Sequence, residues 1–108
     1  MLYELRTYHV VPGKLPAVND RFARHTLPLF TKHGINPVGF WTTYIGPSAN
    51  TLTYILAWDS LGDRETIWNG FASDPDWLAV RTETERDGAL IERAENVIMT
   101  PTAYSAMK

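Results

Sequence analysis

The sequence predicts an α+β fold, in which a four-stranded antiparallel sheet carries its helices on one face. Two β-branched and aromatic runs, residues 38–46 and 51–59, flank a Gly-Pro-Ser-Ala-Asn break and predict a β-hairpin. Helical spacing on each side of the hairpin, with a strand near each end, gives the order strand, helix, strand, strand, helix, strand. A chain of 108 residues is expected to form a single domain, residues 1–108.

The first strand is predicted over residues 2–11, where Tyr, Thr and Val are frequent and a Pro-Gly pair ends the run. Glu4, Arg6 and Tyr8 alternate onto one of its faces. Charged side chains on an interior strand either reach solvent at a rim or line a wet cavity. This face of the strand is therefore a candidate site.

The first helix is predicted over residues 14–33, with Pro16 in its first turn and Gly34 at its C-terminal end. Pro28 removes a helix hydrogen bond and clashes with the preceding turn, so a kink or break is expected near Thr26. The apolar stripe of this helix comprises Leu15, Val18, Phe22, His25, Leu29 and Phe30.

The second helical region begins where Ser60 and Asp63 resemble a capping box, for a helix that continues to about residue 71. Asp74 and Pro75 restart the helix as its cap and first residue, and it runs to about residue 85. The last strand is predicted over residues 93–104, with Pro101 marking an edge or a bent end. This is the βαββαβ order of ferredoxin-like folds, with the strands in spatial order 4-1-3-2.

Helices on one face leave the other face of the sheet uncovered. That face is expected to expose an apolar patch larger than monomers usually tolerate. A second copy of the chain, packed sheet against sheet, is the simplest cover, so a homodimer is expected. The residues expected to contribute to the patch are drawn from Tyr8, Trp41, Tyr54, Leu56 and Trp58.

Composition and charge exclude several classes of function. Ten Lys and Arg residues against twelve Asp and Glu give a net charge of -2, so neither nucleic acid nor an anionic membrane is an expected partner. The absence of cysteine excludes disulfides and thiolate metal sites. No apolar signal core and no run of about 18 apolar residues appears, so membrane insertion is not expected and a cytoplasmic location is.

Glu4, Arg6 and His25 are the candidates for catalysis. Arg6 could present a bidentate fork to a carboxylate or phosphate, and Glu4 could act as a base if burial raised its pKa. A structural ion pair between them is the alternative. His25 could reach a cleft beside the Pro28 break, or it could be an ordinary core histidine.

An apolar or aromatic ligand is expected in a lumen between the sheet and the helices. Interface packing would explain the aromatic residues equally well. No cofactor is expected, and no metal site, because His25 and His33 are too far apart along one helix and no cluster of two histidines and a carboxylate appears. His33 is expected to cap carbonyls at the helix C-terminus. The residues expected to bind the ligand are Arg6, Tyr8, Trp41, Tyr54 and Trp58.

Short motifs spread over nearly the whole chain resemble the NIPSNAP family, within the dimeric α+β barrel superfamily. The resemblance implies two ferredoxin-like subunits whose sheets pair into a barrel. Relatives in the superfamily include cofactor-free oxygenases, lactone isomerases and haem-degrading enzymes, whereas NIPSNAP proteins are associated with vesicle and mitochondrial roles. No catalytic His or Asn motif of such relatives matches here residue by residue. The motifs are residues 3–8 (YELRTY), 12–14 (PGK), 27–28 (LP), 32–34 (KHG), 39–41 (GFW) with Gly46, 58–61 (WDSL), 74–77 (DPDW), and 95–96 (EN) with 100–101 (TP).

The leading hypothesis is therefore a small-ligand protein of undetermined reaction, either a binding protein or a cofactor-independent oxygenase or isomerase acting on an aromatic or polyketide-like carbonyl compound. The competing hypothesis is a non-catalytic dimeric module that binds another protein. The two hypotheses make different predictions for the lumen. An enzyme needs a pocket of roughly 300 Å³ or more with convergent polar groups, whereas a filled lumen would favour the protein-binding module.

Overall fold

The computed structural model describes residues 1–108 of the chain. Its strands are β1 (Leu2–Val10), β2 (Asn36–Thr42), β3 (Thr51–Trp58) and β4 (Ile91–Met99). They form one antiparallel sheet in the order β2-β3-β1-β4, which confirms the predicted strand order.

Two strands differ in extent from the prediction. β4 begins at Ile91 and ends at Met99, short of residue 104, because Tyr3 of β1 pairs with Met99 and little of β1 remains beyond it. β2 ends at Thr42 instead of continuing to residue 46, so the loop to β3 covers residues 43–50. This longer loop pairs Trp41 with Thr53.

The helices are α1 (Leu15–Arg21), a π-helical segment (Phe22–Thr26), α2 (Leu27–His33), α3 (Leu61–Ala72) and α4 (Pro75–Thr84). The predicted irregularity before Pro28 is the π-helical segment, in which the Leu27 N–H bonds the carbonyl of Phe22, five residues back. Since Pro28 has no N–H to donate, a widened turn lets the helix continue where a regular turn would be broken. α2 then ends as predicted at Gly34, which has a left-handed φ of 76°.

Both predicted helix caps form. The Ser60 hydroxyl accepts a hydrogen bond from the Asp63 N–H at 3.1 Å, and Asp74 accepts one from the Asp76 N–H at 2.8 Å. His33 does not cap its own helix: its Nε2 lies 2.7 Å from Oδ2 of Asp74. Lys32 Nζ lies at the same distance from that oxygen, so the end of α2 is tied to the start of α4. Hydrogen bonds from Lys32, His33 and the Asp76 backbone hold the pKa of Asp74 well below its usual value.

The helices cover one face of the sheet, as predicted, but the assignment of residues to the two faces was wrong. Tyr54, Leu56 and Trp58 are buried beneath the helices with the rest of the core. Tyr8 packs against that core as well. Of the residues expected on the uncovered face, only Trp41 lies there. It pairs with Thr53, which is on the uncovered face, whereas the even-numbered residues of β3 face the helices.

The uncovered face, here called the open face, is still largely apolar. Trp41 is 52% exposed and lies over Gly39, where an added Cβ would come within 2.8 Å of the indole. Val97 of β4 is exposed as well. By the strand register this face also carries His9 and Glu95 toward one end, and partly exposed Tyr3, Leu5, Thr7, Thr53, Ile55, Ala57 and Met99.

The fold contains no helix long enough and apolar enough to cross a membrane.

Candidate functional site

A cavity of about 390 Å³ lies between the sheet and the helices, on the side of β1 and β4. Its walls are built from the end of α1, the π-helical segment, α2, α3, α4 and the two strands. The apolar part of the lining consists mainly of Phe22, Phe30, Trp68, Phe71, Trp77 and Ile91. The charged part consists of four arginines and one acid, namely Arg6, Arg21, Arg81, Arg93 and Glu85. The cavity therefore combines an aromatic wall with an excess of positive charge.

Glu4 lies next to this cavity but does not line it. Its carboxylate is 0% exposed and accepts hydrogen bonds from Trp58, Arg64, Asn96 and Arg6, each between 2.9 and 3.0 Å long. These donors come from β1, β3, β4 and α3, so one side chain ties three strands to a helix. The predicted role of Glu4 as a base is disfavoured, because its oxygens are already occupied.

The pKa of Glu4 supports the same conclusion. Burial alone would raise it, but the hydrogen bonds from Arg64 and Asn96, the charge of Arg6 and the Trp58 indole N–H together lower it to about 2. A carboxylate with such a pKa is a poor proton acceptor at neutral pH. The alternative of a structural ion pair fits both the contacts and the protonation state.

Arg6 lines the cavity, but its hydrogen bonds are directed into the protein. Nε donates to the Tyr54 hydroxyl at 2.8 Å, Nη1 to Glu4 at 2.9 Å and Nη2 to the Tyr8 hydroxyl at 3.2 Å. The guanidinium also lies 4.4 Å from the ring centroid of Trp68. Arg6 is thus held in place by four neighbours and is less free to take up a ligand than the sequence suggested.

Tyr8 and Tyr54 form the polar link between this network and the cavity. Their hydroxyl oxygens are 2.7 Å apart, and Tyr8 lines the cavity whereas Tyr54 is fully buried. Burial and the neighbouring Tyr8 raise the pKa of Tyr54 well above its usual value, so it stays a neutral phenol. Tyr8, together with Arg6, is consequently the part of this network that borders the cavity.

The π-helical segment determines which helix residues face the cavity. Each residue of a regular α-helix turns by about 100°, so positions 21 and 30 would point in opposite directions. The extra residue in the widened turn brings Arg21, Thr26 and Phe30 to the same cavity. It also turns His25 away: Thr26 is buried in its place, and His25 does not line the cavity.

Arg21 is a buried charged residue of the cavity that was not predicted from the sequence. It is only 4% exposed, and Nη1 donates to the Thr84 hydroxyl and to Glu85, both at 3.2 Å. Its Cζ lies 5.3 Å from the ring centroid of Trp77. The buried Nε has no hydrogen-bond partner. The only signal in the sequence was the spacing of Arg21 three residues after the apolar Val18, on the buried side of the helix.

The other predicted ligand residues lie in different places. Trp58 is in the core and holds Glu4, whereas Trp41 is on the open face and far from the cavity lining. Three aromatic residues that line the cavity, Trp68, Phe71 and Trp77, were not among the predicted ligand residues. The structure contains no group of three or more His, Asp or Glu side chains arranged to hold a metal ion.

Solved structures with similar folds include two members of one family. A NIPSNAP family protein of unknown function from Agrobacterium tumefaciens is 35% identical, with a TM-score of 0.87 and coverage of 100% of this chain and 94% of that one. An uncharacterised NIPSNAP domain protein from Burkholderia xenovorans is 28% identical, with a TM-score of 0.83 and coverage of 97% of this chain and 98% of that one.

A more distant likeness extends to a candidate antibiotic biosynthesis monooxygenase from Nitrosomonas europaea. It is 13% identical, with a TM-score of 0.65 and coverage of 94% of this chain and 98% of that one, so the likeness concerns the fold alone. Comparison with curated proteins finds no match. A family model described as NIPSNAP matches residues 3–106. The chain therefore belongs to the NIPSNAP family, as its sequence motifs indicated.

Proposed function

We propose that this protein binds a small aromatic carbonyl compound in the cavity between its sheet and helices. The observation that carries the proposal is the cavity itself, which at about 390 Å³ falls in the size range of small-molecule sites and combines an aromatic wall with a few polar groups. A non-catalytic module that binds another protein would have no need of such an interior. Ligand binding is therefore favoured over the interaction module.

Blocking the cavity is the direct test. Ala94 lines the cavity and lies opposite Tyr8 on β4, so Ala94→Phe places a ring where the ligand would lie. Ala79 is an exposed residue of α4 outside the lining, and Ala79→Phe is the matched control. Calorimetric titration with naphthalene-2-carboxamide should show at least about tenfold weaker binding for Ala94→Phe only. Equal affinity in both variants would refute the proposal.

A reaction of the isomerase or oxygenase type, without a cofactor, is the second candidate. Its support is Tyr8, a cavity-lining residue whose hydroxyl accepts a hydrogen bond from the Arg6 guanidinium at 3.2 Å. A donor fixed beside a cation stabilises the negative charge that develops on a carbonyl oxygen during enolisation. The oxygens of Glu4 already accept hydrogen bonds from the protein, and His25 is turned away from the cavity. The proton removed from the carbon next to the carbonyl would therefore be taken up by water or by a residue other than the candidates named above.

Enolisation can be measured without knowing the natural substrate. The methyl protons of 2-acetylnaphthalene exchange with D₂O when the ketone enolises, and proton NMR follows their loss. The wild-type protein should accelerate this exchange, and Tyr8→Phe should slow it by about a hundredfold, the usual effect of losing one such donor. Exchange no faster than in buffer would eliminate the reaction and leave the binding function.

We further propose that the protein is a homodimer joined through the open face, because Trp41, Val97 and Ile55 form an apolar surface that no helix covers. Light scattering should give twice the chain mass of 12.2 kDa. Ile55→Lys places a charge at the centre of that face and should yield monomers, whereas Ile45→Lys, in the loop and 89% exposed, should not. A wild-type monomer at micromolar concentration would disprove the dimer.

We place this dimer in the cytoplasm, which fractionation of cells producing the chain would test.

A further inference from the structure

We infer that the ligand carries a carboxylate and that the free edge of the Arg21 guanidinium binds it; this inference rests on the proposed function. A guanidinium has five N–H donors in a fixed plane, and the edge formed by Nε and Nη2 matches the two oxygens of a carboxylate. In Arg21 both hydrogen bonds to protein use Nη1. Nε is buried and without a partner, and Nη2 makes no hydrogen bond either.

Such a free edge is costly unless something binds it. A buried donor without an acceptor loses its hydration and gains nothing in return, and the loss is larger for a charged group. Arg21 is 96% buried, lines the cavity and has an aromatic neighbour in Trp77, whose ring sits against its charge. The guanidinium is held from one side by Thr84 and Glu85, which orients it without using the opposite edge.

The local charge also favours an anion. Glu85 is the only acid in the cavity lining, and its Oε2 is shared by Arg21 and Arg81, each at 3.2 Å. Two cations on one carboxylate leave a net positive charge at this end of the cavity. A monoanionic ligand would restore neutrality, and its ring system would lie against the aromatic wall formed by Phe22, Phe30 and Phe71.

Arg6 is the contrasting case within the same cavity. Each of its three nitrogens already donates to an oxygen of the protein. The anion-binding role that the sequence suggested for Arg6 is therefore assigned to Arg21. Tyr8, at the Arg6 end, is left to contact a second polar group of the ligand.

The test compares two compounds that differ only in charge, naphthalene-2-carboxylate and naphthalene-2-carboxamide, by calorimetric titration of the whole chain. The wild-type protein should bind the carboxylate at least about tenfold more tightly than the amide. Arg21→Met should remove this preference while retaining the affinity for the amide. Arg21→Lys keeps the charge without the planar fork and should show an intermediate preference. Arg24→Met, which changes an exposed arginine three residues further along the same continuous helix, should behave as the wild type.

Each outcome bears on a different claim. Equal wild-type affinity for the two compounds overturns the carboxylate inference and leaves the proposed function standing, with water as the partner of Nε. A carboxylate preference that survives in a folded Arg21→Met also overturns it. Binding of neither compound removes both claims. The wild-type comparison needs no variant, so the inference stays testable if Arg21→Met fails to fold.

Discussion

Two ion pairs of arginine and glutamate lie at the cavity or next to it, and they differ in how completely their hydrogen bonds are used. Glu4 and Arg6 are enclosed, with every nitrogen of Arg6 and both oxygens of Glu4 bonded to protein atoms. In the pair of Arg21 and Glu85 only part of the hydrogen-bonding capacity is used, since one edge of the Arg21 guanidinium has no partner and Glu85 is 24% exposed. The same two residue types thus serve as a scaffold in one place and form a candidate receptor in the other.

Removing the charge of Glu4 should have the largest effect. Glu4→Gln keeps the shape but leaves Arg6 and Arg64 without their shared anion and turns an amide NH₂ toward their donors. We expect a loss of about 3–5 kcal/mol in the free energy of unfolding, as for a buried pair that loses one partner. Urea denaturation at a fixed protein concentration measures it. A loss below about 1 kcal/mol would show that the pair is not a scaffold.

Acid should weaken the enclosed pair next. The pKa of Glu4 is about 2 in the fold, below its ordinary value of 4.5, so its stabilisation is complete above pH 4.5 and disappears as the pH falls toward 2. From pH 7 to pH 3 the wild type should lose about 2 kcal/mol more than Glu4→Gln. Subtracting the variant removes the contribution of Asp74, whose pKa is also lowered. Parallel pH profiles for the two proteins would contradict the assignment.

Neutralising the second acid should cost much less. Glu85 is partly exposed and water can replace it, so Glu85→Gln should lower the free energy of unfolding by about 1 kcal/mol or less. The same change removes the only acid of the cavity lining, and binding of naphthalene-2-carboxylate should therefore strengthen by a few fold. Calorimetry and denaturation on one sample measure both. Weaker carboxylate binding would mean that Glu85 is needed to orient Arg21.

The smallest effect is expected at Thr84, which accepts one hydrogen bond from Nη1 of Arg21. Thr84→Val preserves the shape and should cost about 0.5 kcal/mol in stability, near the lower end for a single hydrogen bond. Carboxylate affinity should fall slightly, because Glu85 still holds the guanidinium. A larger loss of affinity than of stability would identify Thr84 as the residue that positions Arg21.

The sequence was sufficient for the strand order, the caps at Ser60 and Asp74 and the family, because turn and cap chemistry is local and topology follows from element order. It was harder to predict which residues lie on which face of the sheet. Both hairpin arms are apolar on both faces, so the face on which each side chain lies depends on the pairing register of the two strands. A turn limited to residues 47–50 would pair Trp41 with an even-numbered residue of β3, whereas in the structure it pairs with Thr53. A shift of one position moves a side chain to the other face.

The candidate site was predictable only in part. Glu4, Arg6 and Tyr8 were identified from their alternation on a central strand, and that strand does border the cavity. Arg21 was not, because whether it lines the same cavity as Thr26 and Phe30 depends on the π-helical segment that follows it. Pro28 signalled an irregularity, but a proline does not determine whether a helix breaks, kinks or gains a residue. The π-helical segment determines which side chains after Arg21 point inward, and it is the reason that Thr26 and not His25 is buried.

The indole of Trp41, lying over Gly39 on the open face, gives the molecule a separate optical reporter. Trp68 and Trp77 line the cavity on the opposite side of the sheet, and Trp58 is buried in the core. An exposed indole emits at longer wavelength than one removed from water, so pairing of two open faces should shift the Trp41 emission to shorter wavelength. Ligand entry should instead quench Trp68 and Trp77. With Trp41→Phe as the reference, one emission spectrum can follow assembly and occupancy as separate events.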